Sequence, residues 1–439
     1  MSQSRQQCKE MSRRMNVPSA SLKSYSGMRV DQARPHSPHS PISAGPTAEK
    51  PATSANDLRF NIVETGEALE TLTTPWNELF ARIAKPHQVF QTHGFVKLWV
   101  NNARELITPT ANRRCDCRLV IATAYRSERL VLVWPLIISN RFGLHILATL
   151  GDPIAQYSDA LVDPAETVID LLAAALDQIR RKHRIDLLKL RKVRADATIA
   201  PFLAAKGSKP YNPVVAPYVI LRAGGSAFED RQSSKAKKNR RRLRHRLEEQ
   251  GEVAFQTLSA TPEAATAAIE ALAIKRDWLQ RRGLLSPAIT DDRLDSFLAA
   301  AASTQAQSTG CRLFTIKRDQ LTVAVAIGFE CKRQLMLYLI TQTADVERFG
   351  AGVLNLEHTL RIVESEQFEA VDLLPPGAAY KSDWTNKSVD VSDHAIAMTL
   401  SGWLWSHAYE RFAKPRLKQA LEAIPHSFRH RIFPTTKPG

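Results

Sequence analysis

Between residues 252 and 374 the hydrophobic periodicity changes in a fixed order, and that order constrains the fold more than any other feature of the chain. Glu252–Leu258 has the pattern of a strand, Pro262–Arg281 and Asp291–Ala302 have helical spacing, and Cys311–Lys317, Leu321–Phe329 and Gln334–Thr341 are three strands in quick succession. A glycine-containing loop, a helix over Val353–Glu366 and a strand over Ala370–Leu374 complete the series. Strand, two helices, three meandering strands, helix, strand implies a mixed α/β layer, with the last helix crossing between two parallel strands.

The first half has a rougher version of the same order. Phe60–Val63 is a strand, helices run through Trp76–Ile83 and Phe90–Val100, and Arg118–Ala124 and Arg129–Ile138 form a hairpin about Tyr125–Glu128. Ile146–Leu150 (strand), Val168–Arg181 (amphipathic helix), Asp186–Leu190 (strand) and Pro217–Leu221 (the strand that closes this half) follow. Gly224-Gly225-Ser226 marks a boundary, and 439 residues suit two domains of ordinary size. The expected organisation is a disordered basic tail at 1–56, a first domain at 57–222, a second at 223–410 that includes a basic helix at 228–250, and a basic tail at 411–439.

The net charge of +16 is unevenly placed. Residues 1–56 hold eight Lys/Arg against three acids, 231–246 hold nine against none, and 411–439 hold seven against one. The rest of the chain is slightly acidic, so the basic character belongs to two ends and one segment rather than to the globular body. The five cysteines are scattered apart from Cys115 and Cys117, and a lone Cys-x-Cys lacks the second ligand pair of a zinc site. No apolar run of membrane-spanning length occurs, and Met1–Glu10 has no signal-peptide core. These features point to a cytoplasmic protein without metal.

Three segments have the residue types that chemistry needs. In Glu347-Arg348-Phe349-Gly350-Ala351-Gly352, between a strand and a helix, Gly350 and Gly352 allow backbone N–H groups to approach a pyrophosphate, and the helix N-terminus favours its charge. Arg348 supplies a cation, whereas Glu347 in the leading position opposes an anion. In the run from Ser233 to Leu247, Lys237, Arg240, Arg241 and Arg244 recur at three- and four-residue steps. The nine cations of 231–246, without an acid, suggest a phosphate-bearing ligand more than a solvated face, and few aromatics are interleaved for stacking on bases. In Asp372–Trp384, Lys381 is a candidate to hold a phosphate or carboxylate, Tyr380 a general acid toward a leaving thiolate, and Asp372 or Asp383 a proton acceptor. Trp384 reads as a core anchor and His358 as structural. No nucleophile elbow or Walker loop is present, which suits direct transfer without a covalent enzyme intermediate.

The chain resembles the CelD/BcsL-like acetyltransferases linked to cellulose and exopolysaccharide production. The resemblance spans roughly residues 60 to 410 and rests on Gln156-Tyr157-Ser158-Asp159-Ala160-Leu161-Val162, on the basic run closing with Leu247-Glu248 and Gly251, and on Gly350 followed by Tyr380-Lys381-x-x-Trp384. It implies tandem GNAT-like domains and acetyl-CoA or another acyl-CoA as co-substrate. It also implies an anionic or phosphate-bearing acceptor near polysaccharide-synthesis machinery. The related FemABX peptidyltransferases, also tandem GNAT folds, imply a second possibility in which aminoacyl-tRNA is the donor. A non-catalytic scaffold is the third.

Overall fold

The computed structural model describes residues 58–103, 117–222, 227–284, 286–304, 309–377, 379–413 and 416. The expected tail at 1–56, Gly224-Gly225-Ser226, Cys115 and most of 411–439 lie outside the described residues.

The first half opens with β1 (Leu58–Val63), α1 (Gly66–Thr71), α2 (Thr73–Ile83), a 3-10 turn (Pro86–Gln91) and α3 (His93–Asn102). It continues with β2 (Cys117–Arg126), β3 (Arg129–Arg141), β4 (Leu144–Thr149), the short β5 (Leu161–Val162) and α4 (Val168–Lys182). β6 (Leu187–Arg194), α5 (Ala200–Ala205) and β7 (Tyr211–Ile220) end it. The second half has α6 (Ser234–Glu248), β8 (Val253–Leu258), α7 (Pro262–Arg281), α8 (Arg293–Ser303), β9 (Cys311–Arg318), β10 (Leu321–Cys331) and β11 (Gln334–Gln342). A 3-10 turn (Glu347–Phe349), α9 (Ala351–Ser365), β12 (Ala370–Asp372), α10 (Ala379–Ser382), β13 (Lys387–Ala397) and α11 (Leu400–Leu404) follow, and the last runs into a wider, π-type helix over Trp405–Ala413.

Local chemistry accounts for the helices. α4 buries Leu171, Leu172, Ala175, Leu176 and Ile179 on one stripe, and it places Asp170 in its first turn and Arg180, Arg181 and Lys182 in its last, each sign against the favourable end of the dipole. The Ser233 hydroxyl accepts the Ala236 N–H and sets the start of α6 at Ser234, six residues after the expected Phe228.

The strand pairings of the two halves repeat. β1–β2–β3–β4 is an antiparallel meander, and β4 pairs in parallel with β6 across α4. β8–β9–β10–β11 is the same meander, and β11 pairs in parallel with β12 across α9. The closing strands are then exchanged. β7 does not close the first half as expected; it pairs with β12 of the second, Asp372 opposite Tyr218. β13, which the sequence reading did not anticipate, pairs with β6 of the first half, Val391 opposite Arg194. β7 and β13 pair with each other, so the two sheets are continuous. The helices share a core as well: Phe95 of α3 meets Phe297 of α8 with ring centroids 4.9 Å apart and Phe329 of β10 at 5.7 Å.

Candidate active site

β12 pairs with β11 over three residues only, Gln334–Met336 against Ala370–Asp372, while β11 runs on to Gln342. Past Asp372 the pairing ends, so the outer half of β11 has no strand paired to it on that side among the described residues. Within that half the register with β10 skips a residue: Ile327 pairs with Leu339 and Gly328 with Leu337, leaving Tyr338 out of register. A bulge of this kind leaves a backbone amide outside the ladder and turns it to other use. The Tyr338 hydroxyl is buried, lies by Gln156 of the first half without meeting hydrogen-bond geometry, and is pushed well above the ordinary phenol range by burial. The sequence reading passed over Tyr338, because a bulge leaves no mark in the apolar run around it.

The loop after β11 ends at Gly350, whose φ of 67° is left-handed. A Cβ there would lie 3.0 Å from the Leu243 side chain of α6, so the position needs glycine for both conformation and space. α9 begins at the next residue, with its first N–H groups pointing out of the helix end. The Gly352 N–H donates to the Gln342 side-chain oxygen, so one acceptor oxygen already sits at this terminus. A phosphate here would take the place of the Gln342 oxygen, because the Gly350 N–H already donates to the Glu347 carbonyl at 3.1 Å. Glu347, unfavourable by sequence, is held by Arg282, with Arg281 at 3.7 Å. Arg348 is exposed, with its guanidinium 4.7 Å from the Phe349 ring centre.

The opposite wall joins both halves. Asp372 is buried; its Oδ2 accepts from the Tyr157 hydroxyl at 2.9 Å and from Arg194 at 2.8 Å, and its Oδ1 accepts the Leu374 N–H at 2.8 Å. Burial raises the Asp372 carboxyl above its usual range, with Arg194 opposing, and burial together with the Asp372 charge raises the Tyr157 phenol. Arg194 is held in turn by Asp196. Asp159, from the same segment as Tyr157, accepts from Gln88 at 2.8 Å and from the Thr198 and Ile199 N–H groups, which fixes that segment to its own half.

Lys381 differs from expectation. Its ammonium donates to the carbonyls of Leu373 (2.7 Å), Leu374 (2.8 Å) and Pro376 (3.0 Å). All three donors hold the turn that follows β12 and none is left for an anion. Burial lowers its pKa to about 8, opposed by Asp372 and assisted by Lys275. Asp383 is exposed, the Tyr380 side chain lies outside the described residues, and Trp384 is buried beside Phe228. A cavity of about 570 Å³ is lined by Val215, Pro217, Gly377 and Ser382, and its lining includes no residue of the Gly350 loop.

The four basic-helix candidates do not share one environment. Arg240 is buried: its Nε donates to Glu357 of α9 at 2.9 Å and its guanidinium lies 4.8 Å from the Trp384 ring centre. It ties α6 to α9 and is not presented to a ligand, because a helix laid on α9 must put one face inward and Arg240 falls on the line of Leu243 and Leu247. Arg244 lies 4.4 Å from the Phe255 ring centre, Lys237 is half-buried, and Arg241 is exposed. His358 is half-buried between Phe255 and Phe314, and burial lowers its pKa.

Residues 234–382, which include α6, the bulged strand, the Gly350 loop and Lys381, match the model of the Acetyltransferase (GNAT) domain. This stretch is a GNAT domain. The chain is thus an acyltransferase of that type, and its first half repeats the GNAT strand order. A search of curated protein sequences finds no match. Among solved structures, FemX is 10% identical with a TM-score of 0.49, covering 70% of this chain and 92% of its own. L-PGS from Bacillus licheniformis is 9% identical with a TM-score of 0.46, covering 78% and 97%. A tandem GNAT protein from the clavulanic acid biosynthesis pathway is 13% identical with a TM-score of 0.43, covering 77% and 98%. All three TM-scores fall below 0.5, and the GNAT assignment rests on the domain match.

Proposed function

We propose that the chain transfers an acyl group from an acyl-CoA, with acetyl-CoA the first choice, to an amine or hydroxyl acceptor in the cleft between β11 and the turn after β12. The observation that supports this most is the bulge at Tyr338 beside the N-terminus of α9. A donor whose pyrophosphate lies at Gly350–Gly352, near Arg348, would run its thioester along β11 toward the backbone amide freed at the bulge, which can donate to the carbonyl oxygen as negative charge develops there. The acceptor's N or O bonds to the acyl carbon, the C–S bond breaks, the acceptor's proton leaves to a base or water, and the departing thiolate takes a proton, for which Tyr380 is the candidate. Asp372 and Lys381 position the wall: one ties β12 to Tyr157 and Arg194, and the other holds the turn.

The two halves, 57–222 and 223–410, act as GNAT-like domains of which only the second has a donor site. The loop before α4 has no glycine, and its acids are already engaged: Asp163 with Arg82 and Arg129, Glu166 with Arg126. The resemblance to CelD/BcsL-like proteins favours a sugar-containing or cell-envelope precursor on the cytoplasmic side as acceptor, within cellulose or exopolysaccharide synthesis. Lys237, Arg241 and Arg244 suit a phosphate on that precursor. The competing reading, aminoacyl-tRNA as donor, draws on the same basic helix. The experiment is a transfer assay: the purified chain with acetyl-CoA and a panel of nucleotide- and lipid-linked sugars, monitored by free thiol release, in parallel with charged tRNA. Acceptor-dependent thiol release supports the proposal, and deacylation of charged tRNA without thiol release overturns it.

A further inference from the structure

Nine large hydrophobic side chains are exposed among the described residues, and five of them, Ile169, Val215, Ile269, Leu284 and Leu321, lie on separate elements. Three of the other four share one helical face. Leu400, Trp403 and Leu404 are 75%, 48% and 52% exposed, at i, i+3 and i+4 of α11, and therefore on one face. Phe142, 87% exposed, stands at the tip of the neighbouring β3–β4 hairpin and packs on Trp405, the ring centres 5.6 Å apart, where Trp405 meets the sheet beside this face.

The way α11 is seated explains why this face points outward. Gly402 lies so close to the sheet that a Cβ would come 1.9 Å from the Asp186 carbonyl oxygen. Thr399 donates to the Asp186 carboxylate at 2.9 Å, and Ser406, one turn after Gly402, is buried. The small polar face is docked on the sheet, which leaves the large apolar face uncovered. Hydrophobic burial would favour the reverse, so the exposed face calls for a partner.

The charges around it indicate which partner. Arg141, beside Phe142, is exposed, and Arg184, beside the Asp186 anchor, is 67% exposed. The sequence that follows the helix, 411–439, holds seven Lys/Arg and one Glu. A tryptophan and leucines on one helical face, flanked by cations, are the composition of a helix that lies in the interface of an anionic bilayer. No helix among the described residues is long and apolar enough to cross a membrane, so contact through this face would be peripheral.

We propose that Phe142, Leu400, Trp403 and Leu404 form a docking patch for an anionic lipid surface. The patch belongs to the first half and the C-terminal helix, so it stands or falls separately from the acyl site. The test is co-sedimentation of the full chain with phosphatidylcholine vesicles, with and without phosphatidylglycerol, for wild type, W403S/L404S and R141E. Wild type is expected to bind the phosphatidylglycerol vesicles about tenfold or more tightly than pure phosphatidylcholine, with binding weakened by salt. W403S/L404S should lose about tenfold of that affinity while keeping its circular dichroism and acetyl-CoA binding, and R141E should lose affinity only for the anionic vesicles. Equal binding by wild type and W403S/L404S, or no preference for phosphatidylglycerol, overturns the proposal. A wild type that is dimeric by light scattering and becomes monomeric in W403S/L404S also overturns it, because the patch would then be a face between two copies.

Discussion

Arg240 and Arg241 are neighbours in sequence with opposite surroundings. Replacing Arg240 by Met removes the closest partner of a buried Glu357 carboxylate and leaves only Arg361 at 3.1 Å. Breaking a buried pair from one side costs about 3–5 kcal/mol, whereas loss of the exposed Arg241 side chain changes stability by about 0.5 kcal/mol or less. Urea unfolding should show that difference, and R240M/E357M together should recover most of it, because no charge is then left alone. Lysine burial gives a second handle. Lys192 and Lys381 both have pKa values lowered to about 8 by burial, from 10.5. Above pH 8 the unfolded chain keeps those protons and the folded chain releases them, so these two lysines add stability as pH rises, while Cys311 and Cys331, pushed up to about 12 and 11 by burial, subtract it because their thiols ionise in the unfolded chain alone. The window closes at about pH 9.5, where tyrosines of the unfolded chain begin to ionise while Tyr157 and Tyr338 stay neutral. The slope of unfolding free energy against pH should be lower in K192M than in wild type across this window, and an equal slope would show that Lys192 keeps its proton.

At the scale of elements, the second half was largely legible. The helix 262–281 and the strands that begin at 311, 321 and 334 stand where periodicity put them, because each buries an apolar face of its own period. Arg240 was misread for a physical reason: charge identifies a surface residue until a second helix supplies a counter-charge, and the chain position of Glu357 does not announce that meeting. The turn contacts of Lys381 were not legible either, since its carbonyl partners are backbone and leave no sequence signal. The junction of α6 and α9 has a sharper test at Gly350. A Gly350→Ala change meets both the left-handed φ and Leu243, and should cost about 1–2 kcal/mol in chemical denaturation. A neutral outcome would mean that Leu243 moves aside freely and that α6 is loosely held.

At the scale of the whole molecule, the exchange of closing strands was not legible, since a strand's apolar pattern says that it is buried but not which strand it pairs with. β7 completes the sheet of the second half and β13 that of the first, so neither half closes its own sheet. The shared cluster of Phe95, Phe297 and Phe329 adds a common core. Calorimetry should therefore show one cooperative transition, and separately expressed fragments 1–222 and 223–439 should be unfolded alone and recover structure only when mixed. Two independent transitions would mean that the halves are ordinary domains in contact. The repeated strand order would otherwise allow two donor sites; the bulge between the third and fourth meander strands occurs in the second half and not at the equivalent β3–β4 pairing, and the proposal places the one donor site there. Titration calorimetry of the full chain with acetyl-CoA measures this directly. The account expects saturable binding at one molecule per chain, abolished by Gly350→Val; two molecules per chain, or one that persists undiminished in Gly350→Val, would contradict it.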